Sequence, residues 1–119
     1  MALERGNLSD VVVCAIGATV AGITCASNKK VYIKSILAHA PLPVGVASGT
    51  ANIYFVPNNG GSVGSASTLN QVATLKVFTG ETVFFEPAYP LVLTATNDTV
   101  QVGSAGTSIN FLLTGDKEA

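Results

Sequence analysis

Residues 108–114 read Ser108-Ile109-Asn110-Phe111-Leu112-Leu113-Thr114. Ile109, Phe111 and Leu113 fall on one side of an extended chain; Ser108, Asn110 and Thr114 fall on the other. Side chains alternate faces along a strand, so this pattern predicts a strand with one buried and one wet face. The same period of two recurs upstream. Val100 and Val102 oppose Thr99 and Gln101, and Ala51, Ile53 and Phe55 oppose Asn52 and Tyr54. Ala73, Leu75 and Val77 alternate with Thr74 and Lys76, and Val83 and Phe85 oppose Thr82 and Glu86. No stretch sustains the period of an amphipathic helix. Strands are expected to start near residues 11, 20, 31, 51, 72, 82, 91, 99 and 108. That rhythm predicts an all-β, antiparallel β-sandwich of about eight or nine short strands. It suits a jelly-roll and an immunoglobulin-like connection equally.

The connections agree with this reading. Thr79-Gly80-Glu81 is a short loop, Asn97-Asp98 a turn signal, and Gly103-Ser104-Ala105-Gly106 leads into the last strand. Pro87 and Pro90 bracket an irregular stretch, where they interrupt no ladder. Residues 39–49, with Pro41, Pro43 and Gly45, are expected to cross between sheets, and residues 58–67 to form a flexible polar loop. A helix over residues 68–76, capped by Thr68, is the alternative to a strand there. Residues 31–40 break the alternation. Val31, Ile33 and Leu37 share one face, yet Tyr32, Ile36 and Ala38 are apolar on the other. Three accounts fit: a central strand covered on both sides, a bulge that shifts the phase, or an outer face packed on another subunit.

A chain of 119 residues, 48% apolar, suits one domain with a real core, so residues 1–119 are expected to form a single β-sandwich domain. Residues 1–10 are read as an N-terminal arm and residues 115–119 as a solvated tail. Charged residues make up 11%, against about 25% in an average soluble protein. The net charge of -1 argues against nucleic acid as a partner. A surface so poor in charge is suited to being covered by partner chains in an assembly; a monomer kept soluble by hydroxyls and amides is the alternative. The apolar run at residues 11–23 is too short to span a bilayer, and no basic cluster precedes it as in a signal peptide. No membrane partner is expected, and synthesis in a cytoplasm is.

The sequence offers little to catalysis. His39 is the single histidine and lies four residues after Ser35 on one expected strand. A serine–histidine pair also needs an orienting carboxylate, and nothing in the spacing brings Asp10 or Asp98 to His39. Glu81 and Glu86 would fall on opposite faces of a regular strand. The glycine-rich residues 58–67 lack the lysine of a phosphate-binding loop. Cys14 and Cys25 are expected to be two buried thiols; the alternative is that residues 11–16 and 21–26 form a hairpin in which they face each other. With His39 they fall short of a zinc site. No enzyme activity, catalytic residue, cofactor, metal or small-molecule substrate is expected.

The order of segments carries a resemblance. Lys34-Ser35-Ile36-Leu37 leads to Tyr54-Phe55-Val56-Pro57, then to the loop Asn58-Asn59-Gly60-Gly61-Ser62. The turn Thr79-Gly80-Glu81-Thr82 follows, then Pro90-Leu91-Val92-Leu93, Asn97-Asp98-Thr99-Val100-Gln101-Val102 and a closing apolar strand. From Lys30 to Thr114 this resembles small β-sandwich structural proteins in the virions of tailed bacteriophages, of the head decoration or cement type. The resemblance implies a non-enzymatic virion protein on the capsid surface. Its partners would be itself, as a homotrimer, and the major capsid protein. The alternative is a tail or fibre domain that binds a host surface glycan. Residues 1–29 fall outside the resemblance, and no binding residue is carried over by it.

Overall fold

The structure is a computed structural model that describes residues 3–27, 29–41 and 48–118. Most of the crossover expected at residues 39–49 lies outside the described residues. The described chain forms ten strands: β1 (Leu3–Asn7), β2 (Val12–Cys14), β3 (Thr19–Thr24), β4 (Val31–His39), β5 (Ser48–Val56), β6 (Gln71–Phe78), β7 (Thr82–Phe85), β8 (Leu91–Leu93), β9 (Thr99–Ala105) and β10 (Ile109–Glu118). One sheet runs β1-β10-β4-β7, with β2 also on β10 and β8 also on β4; the other runs β3-β9-β5-β6.

The pairing is nested and antiparallel throughout. β5 pairs β6, β4 pairs β7 and β8, β3 pairs β9, and β2 pairs β10. One long hairpin, turned between β5 and β6, is therefore wound so that successive strand pairs alternate between the two sheets. This is a jelly roll of two Greek keys, which decides between the two topologies the strand rhythm left open.

The alternation that predicted the strands also builds the core. Ile109, Phe111 and Leu113 of β10 meet Ile33, Ile36 and Ala38 of β4 and Ala51, Ile53, Val77, Val100 and Val102 of the facing sheet, all fully buried or nearly so. Each large aliphatic or aromatic side chain so buried stabilises the fold by about 1.5–3 kcal/mol. Leu75 and Ala73 pack against the same core from β6, so period two prevails over the helix considered for residues 68–76.

A bulge explains the broken pattern of β4. Thr114 of β10 pairs Ser35, but Gly115 pairs Ile33, which leaves Lys34 as an extra residue. Val31 and Ile33 point inward before it; Ile36, Ala38 and Ala40 point inward after it. The bulge requires Gly115. A Cβ there would overlap the carbonyl oxygen of Tyr32 and sit 3.0 Å from the Lys34 nitrogen. On the other side of β4, the partner strand breaks at the same level: Ile36 pairs Phe85 and Ile33 pairs Leu91, with Pro87 and Pro90 between.

Two expectations need correction, for residues 115–118 and for residues 3–7. Residues 115–118 are no solvated tail: they continue β10 between β1 and β4. Asp116 is held there by two cations: Lys34 Nζ lies 2.8 Å and Arg5 Nε 3.8 Å from its carboxylate, whose side chain is 10% exposed. Of the two readings of the cysteines, that of buried thiols holds: β2 and β3 belong to opposite sheets, and Cys14 and Cys25 are free and buried. Within the expected N-terminal arm, residues 3–7 form β1, which pairs β10 while all five residues stay exposed.

Candidate interaction surface

The residues considered for chemistry are dispersed. His39, at the end of β4, shares a 2.9 Å hydrogen bond between its Nδ1 and the Thr82 hydroxyl. Ser35 lies four residues earlier on the same strand, where its carbonyl accepts a 3.4 Å hydrogen bond from the Thr114 hydroxyl. Glu81 and Glu86 flank β7 and are exposed. No group of three metal-ligating side chains occurs among the described residues. Among them, no helix is long and apolar enough to cross a membrane. A hollow of about 310 Å³ near the chain ends is lined by Glu4, Lys29, Lys117 and Glu118 among others. Glu4 and Lys117 pair across it at 3.8 Å.

Asp98 is a structural anchor. Its Oδ1 accepts hydrogen bonds from the Asn58 backbone N–H at 2.8 Å and from Asn58 Nδ2 at 3.0 Å, and its Oδ2 accepts from the Ala95 N–H at 3.1 Å. Burial of this carboxyl opposes ionisation, but the N–H donors of Asn58, Ala95 and Thr94 outweigh it and hold the pKa below the ordinary carboxylate range. Asn97, with φ of 68°, turns its Nδ2 onto the Gly61 carbonyl at 2.7 Å, and Gln101 Nε2 reaches the Gly64 carbonyl at 3.0 Å. These bonds fasten the loop of residues 58–67 over the outer side of β9, where Val56 and Thr99 are buried beneath it. The loop read as flexible from its glycines is tied at three points.

The surface with the clearest capacity for contact is the outer face of the β10-β4-β7 sheet. Leu112 lies directly opposite Leu37, and Leu37 directly opposite Phe84. Their neighbours Phe111, Leu113, Ile36 and Ala38 fill the core, so these three side chains point to solvent. They make an apolar row across three strands, open at Phe84, which is 60% exposed. On one side runs the row Val13, Asn110, His39 and Thr82; on the other lie Thr114 and Ser35. Beyond these, Asp116 with Lys34 and Arg5 makes a charged corner. An apolar centre with a polar rim is the layout of a protein–protein contact. Sequence reading missed this row because the bulge at Lys34 changes which residues of β4 share a face with Leu37.

Comparison with known proteins adds little. No family model matches the sequence, and no curated protein matches it. Among solved structures, the chain is similar to the infectious bursal disease virus Gt strain at 13% identity and a TM-score of 0.41, over 98% of this chain and 32% of that one. It is likewise similar to the infectious bursal disease virus VP2 subviral particle at 13% identity and a TM-score of 0.40, with the same coverage. The chain spans about a third of the length of these neighbours. Likeness this slight carries nothing about function.

Proposed function

We propose that this chain is a non-enzymatic structural protein of a virus particle, a capsid cement or decoration protein of the tailed-bacteriophage kind. It would assemble with itself as a trimer and bridge copies of the major capsid protein on the outside of the head. The outward row of Leu112, Leu37 and Phe84 carries this reading. A sheet face with an apolar centre gains free energy when a neighbouring subunit covers it, at roughly 25 cal/mol per Å² of apolar surface removed from water. A surface with 11% charged residues opposes such covering little. The jelly roll is a fold of viral capsid and lectin domains alike, which supports the reading by analogy only.

The test is the copy number of the chain in purified particles, by quantitative mass spectrometry against the coat protein. A number comparable to the coat protein is expected; a few copies per particle would move the chain to a tail or fibre, and none would end the proposal. Particles lacking the chain should release their DNA at a lower temperature. A Leu37→Ser, Phe84→Ser variant should keep the parent's thermal midpoint within a few degrees yet decorate such particles far less. Undiminished decoration would show that another face makes the contact.

A further inference from the structure

The described strands leave four sheet edges, and three are blunted. Beside β10, β2 has three residues and β1 carries Glu4 and Arg5; beside β4, β8 has three residues and β7 has four, with Pro87 just beyond. β3 is broken in register at Gly22. Short strands, charges, prolines and bulges are the usual means of keeping an edge from pairing with another chain. β6 has fewer of these. It runs for eight residues without proline, its one register shift falls at its start beside Val72, and no described strand pairs its far side.

The side chains of β6 also fit a second copy of themselves. Val72, Thr74, Lys76 and Phe78 are exposed, while Ala73, Leu75 and Val77 turn toward the core. In an antiparallel pair, opposite residues share a face, so a two-fold axis must pass through a residue and not between two. An axis at Lys76 would set two ammonium groups opposite each other. An axis at Thr74 would set Val72 against Lys76 and leave Phe78 without an apolar partner. An axis at Leu75 sets Val72 of each copy opposite Phe78 of the other and Thr74 opposite Lys76. Both large exposed side chains, 45% and 48% accessible in the single chain, are then covered.

We propose that β6 is a self-pairing edge, through which two copies of this chain join their β3-β9-β5-β6 sheets into one continuous eight-stranded sheet with the two-fold axis at Leu75. The contact lies in the other sheet from the apolar row on β10, β4 and β7, and it stands whether or not the chain decorates a capsid. A single strand edge is smaller than the roughly 800 Å² per partner of a stable interface, so the pair is weak in dilute solution. It fills when copies are crowded together.

Cross-linking by register tests this. Chains carrying Val72→Cys are mixed with chains carrying Phe78→Cys at high concentration and oxidised with copper phenanthroline. The native Cys14 and Cys25 are buried and serve as the control in the parent chain. A disulfide-linked dimer is expected from the mixture and little from either variant alone, because like positions lie about 20 Å apart across the axis. No dimer in the mixture, or equal dimer from either variant alone, would overturn the pairing. As a second measurement, Thr74→Glu should tighten self-association in sedimentation by about two- to tenfold and Thr74→Lys weaken it similarly, since each faces Lys76 of the other copy. Responses of the same sign would sink the register.

Discussion

Replacing Asp98 with alanine removes the acceptor for three N–H groups at 2.8, 3.0 and 3.1 Å and releases the loop of residues 58–67 from the turn before β9. Hydrogen bonds to a charged group contribute about 1.5–3 kcal/mol each, though bonds sharing one carboxylate do not add fully. The Asn58 side chain regains water on release, which lowers the cost further. A loss of about 3 kcal/mol is expected, equivalent to a fall of roughly 10 °C in thermal midpoint for a domain of this size. Asp98→Asn keeps the shape but not the charge, and it isolates the pH dependence. The folded pKa of Asp98 is below its unfolded value. Its contribution is therefore complete above an unfolded value of about 3.9 and is lost as pH falls through the folded pKa. Urea unfolding of both proteins followed by circular dichroism between pH 7 and pH 2.5 should show the gap between parent and Asp98→Asn narrowing only below pH 4. A gap that stays constant, or an alanine variant within about 0.5 kcal/mol of the parent, would refute the anchoring role.

Gly115→Ala should cost more than about 3 kcal/mol or abolish folding, because its Cβ meets the Tyr32 carbonyl; normal unfolding of that variant would disprove the bulge at Lys34. Phe111→Ala empties the centre of the core and should cost about 3–5 kcal/mol by denaturant titration. Cys14 and Cys25 should resist thiol reagents in the native protein and both react in denaturant; prompt labelling of the native form would contradict their burial. Burial, with the charges of Asp98 and Glu118 adding to it, pushes the Cys25 thiol up. Its stabilising effect is complete below the unfolded thiol pKa of about 8.5 and is lost as pH rises on through the higher folded pKa, so Cys25→Ala should flatten the alkaline side of the stability profile.

Period two was a dependable guide wherever a strand has one face on the core. The starts of β2 and β10 and of most strands between were readable to within a residue or so, because most of these stretches alternate apolar and polar residues. β1 was not readable: Leu3-Glu4-Arg5-Gly6-Asn7 buries none of its side chains and is a strand only through its backbone pairing with β10. The charges at Asp116, Lys117 and Glu118 mimicked a free end because the salt bridges that hold Asp116 come from Arg5 and Lys34, far away in the chain. The jelly-roll order depends on which distant strands pair, and local periodicity carries no record of that. The row of Leu112, Leu37 and Phe84 was hidden for this reason as well as by the bulge at Lys34. Its members become neighbours only after three separate strands align.

Leu3 lies opposite Glu118, so the two ends of the chain run side by side. During synthesis, only the β5–β6 hairpin at the middle of the wrap can close from neighbouring sequence. Each further turn must wait for a strand made later, and β1 and β2 wait for β10, the last of all. Closing such long loops is costly in entropy, and folds dominated by distant pairings form slowly. Until β10 leaves the ribosome, β1 and β2 have no partner strand to pair with. In a chain halted before β10, the β5–β6 hairpin would be the part able to form while the outer strands lack partners, the stage at which open strand edges are prone to capture by a neighbour.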